Sequence, residues 1–161
     1  MTGIATTLAF LTLPLSPAQL QAAEPLILCN LTVFPDGSPL TEVVLADDRV
    51  FVGIGYDTGG GEFVSLREPG RFAQTWARLA PVLGDMTSDF DNPPDGQRYD
   101  LVHVTFADQR VARWIATADG TAVQDAMAQF GMNAERVFFD HTLDIVASDH
   151  WIFTHPCGGP P

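Results

Sequence analysis

The sequence predicts an α+β fold, an antiparallel sheet with two amphipathic helices packed on one face. Short β-rich segments separated by turn residues predict the sheet, and two runs with apolar residues at helical spacing predict the helices. These segments follow the order ββα, polar linker, ββα, with extra strands at both ends. With 161 residues and 46% hydrophobic content, the chain can bury one core, so residues 24–161 are predicted to form a single domain.

The first half contains strand-like segments that end at recognisable turns. Residues 26–34 precede a turn at 35–39, and residues 42–46 and 50–56 flank a short polar interruption. Such an interruption between two β-rich runs predicts a hairpin. A glycine run then breaks the pattern, and residues 62–66 resume it as a further strand.

The first helix is predicted to begin at Pro69 and Gly70. The apolar residues that follow recur at spacings of four, three and four, which places them on one helical face: Phe72, Trp76, Leu79 and Leu83. Pro81 should shorten or kink the last turn, because proline lacks the backbone N–H that a helix interior needs.

The second half repeats this arrangement. Residues 99–107 and 111–117 are predicted strands around a polar turn, and Asp119 or Thr121 can cap a second helix that ends at Gly131. The apolar face of this helix consists of Val123, Met127 and Phe130. Three short strands are predicted after it, at residues 136–139, 143–147 and 151–154.

A six-residue motif occurs in both halves. Residues 45–50 read LADDRV and residues 106–111 read FADQRV, each at a predicted hairpin turn and each followed by an amphipathic helix. The match indicates internal duplication, or it reflects how often turns contain Asp. The residues leave both interpretations open.

The N-terminus is typical of a secretory leader. Residues 4–15 form an apolar run, which is shorter than the roughly 20 residues of a membrane-spanning helix. Small residues follow, so residues 1–23 are predicted to be a signal peptide cleaved near Ala22 or Ala23, with a periplasmic or secreted product. The basic region that usually begins a leader is missing, since the first basic residue is Arg49. The alternative is that the apolar run is the first element of the fold.

The two cysteines support the same compartment. Cys29 lies just inside the predicted mature start, and Cys157 lies four residues from the C-terminus. Exported proteins keep such pairs oxidised, so a Cys29–Cys157 disulfide is predicted. The alternative is a nucleophilic Cys157 assisted by His155. A reactive thiol needs electropositive surroundings, which an acidic chain offers only weakly.

The charge balance restricts the partners. The chain has 8 basic and 20 acidic residues, a formal net charge of −12. Such a surface repels phosphate backbones and anionic lipids, which argues against nucleic-acid and membrane-surface binding. Protein partners with basic surfaces and divalent cations are the natural counterparts, and the mature form is predicted to lack an integral membrane segment.

The polar linker is the most suggestive stretch for metal chemistry. Oxygen ligands at alternating positions on a loop are typical of a calcium site, and the candidate ligands are Asp89, Asp91, Asp95 and Asp100. Pro93 and Pro94 occupy the place where an EF-hand loop has its sharp turn, so the loop is not an EF-hand. It is a weak calcium site or a solvated acidic loop, and no other cofactor is predicted.

Three function classes follow from these observations. The absence of a recognisable catalytic motif favours a non-catalytic exported module that binds a protein or assists an envelope process. The alternatives are a hydrolase that uses acidic residues, which requires two carboxylates meeting in a cleft, and a divalent-cation binder acting through residues 85–100.

Overall fold

The computed structural model describes Leu20 and residues 23–55, 61–86, 94–117, 144–154 and 157. Within these residues the chain forms one antiparallel sheet of seven strands, one α-helix and two 3₁₀-helices. The elements are β1 (Pro25–Val33), β2 (Pro39–Leu45), β3 (Arg49–Gly55), β4 (Gly61–Arg67), α1 (Arg71–Leu79), a 3₁₀-helix (Ala80–Asp85), β5 (Tyr99–Phe106), β6 (Val111–Thr117), β7 (Asp144–Ile145) and a second 3₁₀-helix (Trp151–Phe153).

The sheet has the strand order β6-β5-β1-β2-β3-β4-β7, which places the first strand near its centre. Strands β1 to β4 form a meander, and after α1 the chain returns so that β5 pairs with the other edge of β1. Strand β1 is therefore paired along both edges. Apolar residues also pack on both of its faces, with Leu28 in one cluster and Cys29 in the other, which explains why its apolar residues run almost continuously instead of alternating.

The antiparallel sheet and the first helix are confirmed, but the predicted ββα order is wrong. Four consecutive strands precede α1, because the segments at 26–34 and 62–66 join the first hairpin in one continuous meander. The predicted second helix at 121–131 and the predicted strand at 136–139 lie outside the described residues, so the prediction of two helices on one face is not tested there.

Helix α1 ends where the sequence indicated. Its last residue is Leu79, and the chain continues as a 3₁₀-helix whose first turn contains Pro81. Leu79 and Leu83 are both fully buried against the sheet. The change of helix type keeps both leucines on the core side after proline removes one backbone donor.

The repeated motif forms two matching hairpin turns on either side of β1. Asp48 and Gln109 occupy equivalent positions with φ angles of 66° and 67°, and in both turns the preceding Asp forms an ion pair with the following Arg. The motif leucine, Leu45, lies on one face of the sheet, whereas its counterpart Phe106 lies on the other. The two hairpins are thus related by rotation about the β1 axis, which exchanges the faces.

Each face of the sheet carries its own hydrophobic core. The helix-side core packs α1 and the first 3₁₀-helix against residues such as Leu28, Val44 and Val102. The opposite core is covered by residues 146–154 and 157, here called the C-terminal clasp, whose Ile152 is fully buried against Phe51 and Phe63. The Phe63 ring leaves no room for a side chain at its cross-strand partner, since a Cβ on Gly53 would lie 2.3 Å from it.

The C-terminal segments differ from their predictions. The predicted strand at 151–154 is wrong, because Trp151–Phe153 is a 3₁₀-helix in which the His150 side chain accepts a hydrogen bond from the Ile152 N–H. Of the predicted strand at 143–147, Asp144 and Ile145 pair with β4. A helical turn lets Trp151, Ile152 and Phe153 all contact the same apolar face, which an alternating strand could not do.

Leu20, which lies inside the predicted leader, belongs to the helix-side core and is 3% exposed. Ala23 donates a backbone hydrogen bond to its carbonyl. Cleavage at Ala22 or Ala23 would remove this leucine from the core.

Candidate functional site

Six buried polar side chains lie on the helix-covered face of the sheet, among otherwise apolar residues. This polar cluster consists of Asn30, Thr32, Glu42, Arg71, Thr75 and Asp100. Three neighbouring strands and α1 contribute to it, because Asn30 pairs with Glu42 across β1 and β2 and Thr32 pairs with Asp100 across β1 and β5.

One part of the polar cluster is a hydrogen-bonded triad. The Asn30 amide nitrogen donates to the Thr32 hydroxyl oxygen at 3.0 Å and to a carboxylate oxygen of Asp100 at 3.2 Å. The Thr32 hydroxyl donates to the same Asp100 oxygen. Asp100 therefore points into the interior of the protein and is 9% exposed.

The other part is a buried ion pair. The Arg71 guanidinium at the start of α1 donates to the Glu42 carboxylate at 3.0 Å, with both side chains almost completely buried. Glu68 lies 4.0 Å from the same guanidinium. A pair of this kind ties the helix to β2, and removing one partner would leave the other charge buried without this pairing.

Hydrogen bonding inside the polar cluster is incomplete. Among the described residues, the Asn30 amide oxygen and the Thr75 hydroxyl have no hydrogen-bond partner, although both side chains are almost fully buried. Most buried polar atoms in folded proteins are paired, so each exception requires an explanation. The sequence analysis did not predict this cluster. The pattern that could have indicated it is a pair of polar residues, at positions 30 and 32, on one face of an otherwise apolar strand.

The two carboxylates of the polar cluster do not form an open pair. Glu42 lies on β2 and Asp100 on β5, on opposite sides of β1, and each accepts hydrogen bonds from buried neighbours. Glycoside hydrolases need two carboxylates that both reach a substrate. The arrangement therefore gives little support to a hydrolase of that kind.

The predicted calcium ligands are not brought together in the described part of the chain. Asp95 is exposed, Asp100 is buried in the polar cluster, and Asp89 and Asp91 lie outside the described residues. Within the described ranges, no three His, Cys, Asp or Glu side chains are placed to hold a metal ion. The four-aspartate site remains a prediction.

The predicted Cys29–Cys157 disulfide is present, with the two Cα atoms 5.3 Å apart. It joins β1, near the centre of the sheet, to the C-terminal clasp, and it leaves Cys157 without a free thiol. The cross-strand neighbour of Cys29 is His103, whose pKa is lowered to about 4 by burial and by the nearby Arg113.

An exposed apolar side chain marks one edge of the sheet. Ile145 is 72% exposed on β7 and pairs with Val64 of β4. Two exposed carboxylates lie on the same pair of strands, Asp144 directly before Ile145 on β7 and Glu62 two residues before Val64 on β4. We call Glu62, Asp144 and Ile145 the edge surface.

Comparison with known proteins identifies no relative. The chain matches no family model, no curated protein and no solved structure. No helix among the described residues is long and apolar enough to cross a membrane.

Proposed function

We propose that this chain is an exported, disulfide-stapled module that binds a basic segment of a protein partner and performs no catalysis. The observation that carries the proposal is the edge surface, where a large apolar side chain, Ile145, is exposed at the margin of a sheet. Sheet edges offer backbone hydrogen-bonding groups to an extended partner segment.

Charge complementarity specifies the partner. Two exposed carboxylates, Glu62 and Asp144, accompany Ile145 on the edge surface, and the whole chain carries a net charge of −12. A segment with Lys or Arg beside an apolar residue would pair with both features, and the long-range attraction would accelerate its association.

Two internal features support the proposal, one its binding role and the other its export. The buried carboxylates Glu42 and Asp100 are engaged by neighbouring side chains, so they are poorly placed to meet a substrate. The disulfide favours an oxidising compartment.

Site-specific photo-crosslinking tests the binding proposal. A photoreactive residue replaces Ile145 in the protein expressed in its own host, and a matched variant carries it at Ala77, an exposed position of α1. We expect one discrete adduct from position 145 that is absent from position 77 and is weakened by Asp144→Arg. Adducts of equal yield from both positions, or none from position 145, would refute the edge surface as the binding site.

Export is tested separately by sequencing the N-terminus of the protein recovered from periplasm and medium. We expect a start near Ala22 or Ala23. Full-length protein retained in the cytoplasm would contradict export, and a start upstream of Leu20 would show that the buried leucine belongs to the mature domain.

A further inference from the structure

The exposed residue of β7 directs its backbone polar groups away from β4. The Val146 N–H donates to the Phe63 carbonyl at 2.9 Å, so these two residues occupy a hydrogen-bonded position of the β4–β7 ladder. Hydrogen-bonded and non-hydrogen-bonded pairs alternate along an antiparallel ladder, so the adjacent Val64–Ile145 pair exchanges no hydrogen bonds. The N–H and C=O of Ile145 therefore point outward, at the margin of the sheet that the structure describes.

The side chains of β7 lie on two different faces of the sheet. Ile145 is opposite Val64, which packs against the helix-side core. Asp144 is opposite Ser65, and because successive side chains alternate, it lies on the face of the C-terminal clasp. An extended segment paired with Ile145 would thus place one side chain beside Ile145 and the adjacent one, on the other face, beside Asp144.

We propose, on the basis of the binding function proposed above, that the partner adds to β7 as a further antiparallel strand. It carries an apolar residue opposite Ile145 and, directly next to it, a Lys or Arg opposite Asp144. In strand addition the main-chain hydrogen bonds supply affinity and alternate side chains supply specificity. Opposite charges on facing residues stabilise a strand pair, whereas a second copy of this chain, with its net charge of −12, would be repelled.

Peptides modified in their backbone test which groups are used. The probe is a synthetic hexapeptide with blocked ends, Arg-Val-Arg-Val-Arg-Val, titrated into the isotope-labelled full chain and followed by NMR. We expect N-methylation of its valines to abolish binding, because the valine N–H groups face Ile145, whereas N-methylation of its arginines, whose N–H groups face away, preserves binding. A peptide with Glu in place of Arg should not bind, because its carboxylates would face Asp144.

Hydrogen exchange and one variant locate the contact. With the peptide at about ten times its dissociation constant, exchange of the Ile145 N–H should slow about elevenfold, whereas the Val146 N–H, already bonded to Phe63, should change less. Ile145→Pro removes the outward donor but no hydrogen bond to β4, and proline is tolerated on edge strands. It should weaken peptide binding by about tenfold, whereas Ile145→Val keeps the donor and the affinity.

The outcomes separate the mode of binding from the binding function itself. Absence of peptide binding to the wild-type chain, equal affinities for the two N-methylated peptides, or unchanged exchange at Ile145 would each overturn strand addition. If the photo-crosslinked adduct at position 145 still forms in that case, the binding function stands without this mode. If Ile145→Pro loses the β4–β7 pairing, the methylated peptides and the exchange of the wild-type protein still decide the question.

Discussion

At the scale of single residues, Asp48 and Gln109 hold the same backbone conformation at equivalent turns but differ in what their side chains contact. The Asp48 carboxylate accepts hydrogen bonds from the Phe72 N–H at 3.0 Å and the Gly70 N–H at 2.7 Å, at the first turn of α1. These two bonds lower the pKa of Asp48. A turn residue of one hairpin thus caps a helix that begins more than twenty residues later.

Replacing Asp48 should weaken this cap. Asp48→Asn tolerates the positive φ angle but loses the charge and one strong acceptor, so the melting temperature at neutral pH should fall. Because the folded pKa lies below the unfolded one, the stabilisation is complete above about pH 4 and is lost as the pH falls through the folded value. Wild type and variant should therefore converge in acid. Gln109→Asn, at the matching turn position, should cause no loss; an equal loss there would argue against the cap.

His103 should make folding sensitive to mild acid. Its folded pKa of about 4 lies below the ordinary value near 6.5. Between these two values the unfolded chain therefore binds a proton at this histidine that the folded chain does not bind. Stability is complete above about pH 6.5 and declines towards pH 4, by on the order of 3 kcal/mol from this residue. Urea unfolding between pH 7.5 and 4.5 measures the slope. His103→Gln should flatten it, and an unchanged slope in this variant would exclude His103 as its cause.

At the scale of elements, the C-terminal clasp buries the apolar residues of one face of the sheet, and α1 buries those of the other face. Helix α1 is held by the Glu42–Arg71 pair and by buried leucines. The clasp, by contrast, makes few strand hydrogen bonds and depends on the burial of Ile152 and on aromatic contacts such as that between Phe63 and Phe153. Its stability should therefore respond mainly to changes in apolar volume.

Truncating Ile152 tests that dependence. Ile152→Ala removes a fully buried side chain and leaves a cavity, so the free energy of unfolding should fall by about 2 to 5 kcal/mol. Ile145→Ala, the same change at an exposed site, should cost less than about 0.5 kcal/mol. Denaturant titration compares them. Similar small losses for both would mean that the clasp contributes little to the folded state.

At the scale of the whole molecule, one covalent bond attaches the C-terminal clasp to the sheet. Cys29 is fully buried in the central strand, and its bond to Cys157 spans 128 residues of sequence. Closing so long a loop restricts the unfolded chain strongly. The disulfide connects the last described residue to β1, the strand that pairs with β2 on one side and β5 on the other.

Reducing this bond should cost about 4 to 5 kcal/mol in the loop-entropy model. The clasp should open before the sheet, because the sheet retains its own ladder of hydrogen bonds after the bond is broken. Hydrogen exchange of the chain with and without reductant, and of Cys157→Ser, should therefore show faster exchange at Phe153 and Thr154 than in β1 and β2. Equal acceleration in all of these segments would show that the protein unfolds as one unit.

Much of the secondary structure was accessible from sequence because it depends on local patterns. The turns at Asp47–Asp48 and Asp108–Gln109, the apolar face of α1 and the end of that helix near Pro81 all follow from residues close together in the chain. The 3₁₀-helix at Trp151–Phe153 could not be predicted in this way. Three consecutive apolar residues suggest a strand, and the helical turn becomes evident only when the apolar face against which they pack is known.

By itself the sequence determined the antiparallel strands, the first helix and the cysteine pairing, since turn chemistry, periodicity and a two-cysteine count are local or nearly unique signals. Only the tertiary structure decided which strand is central, which face each side chain occupies and which polar residues meet. Asp100 is separated from Asn30 by 70 positions in the chain, and strand order and register bring it beside Asn30 and Thr32. Because a shift of one residue in register moves every side chain to the opposite face, no local pattern could have placed them in one cluster.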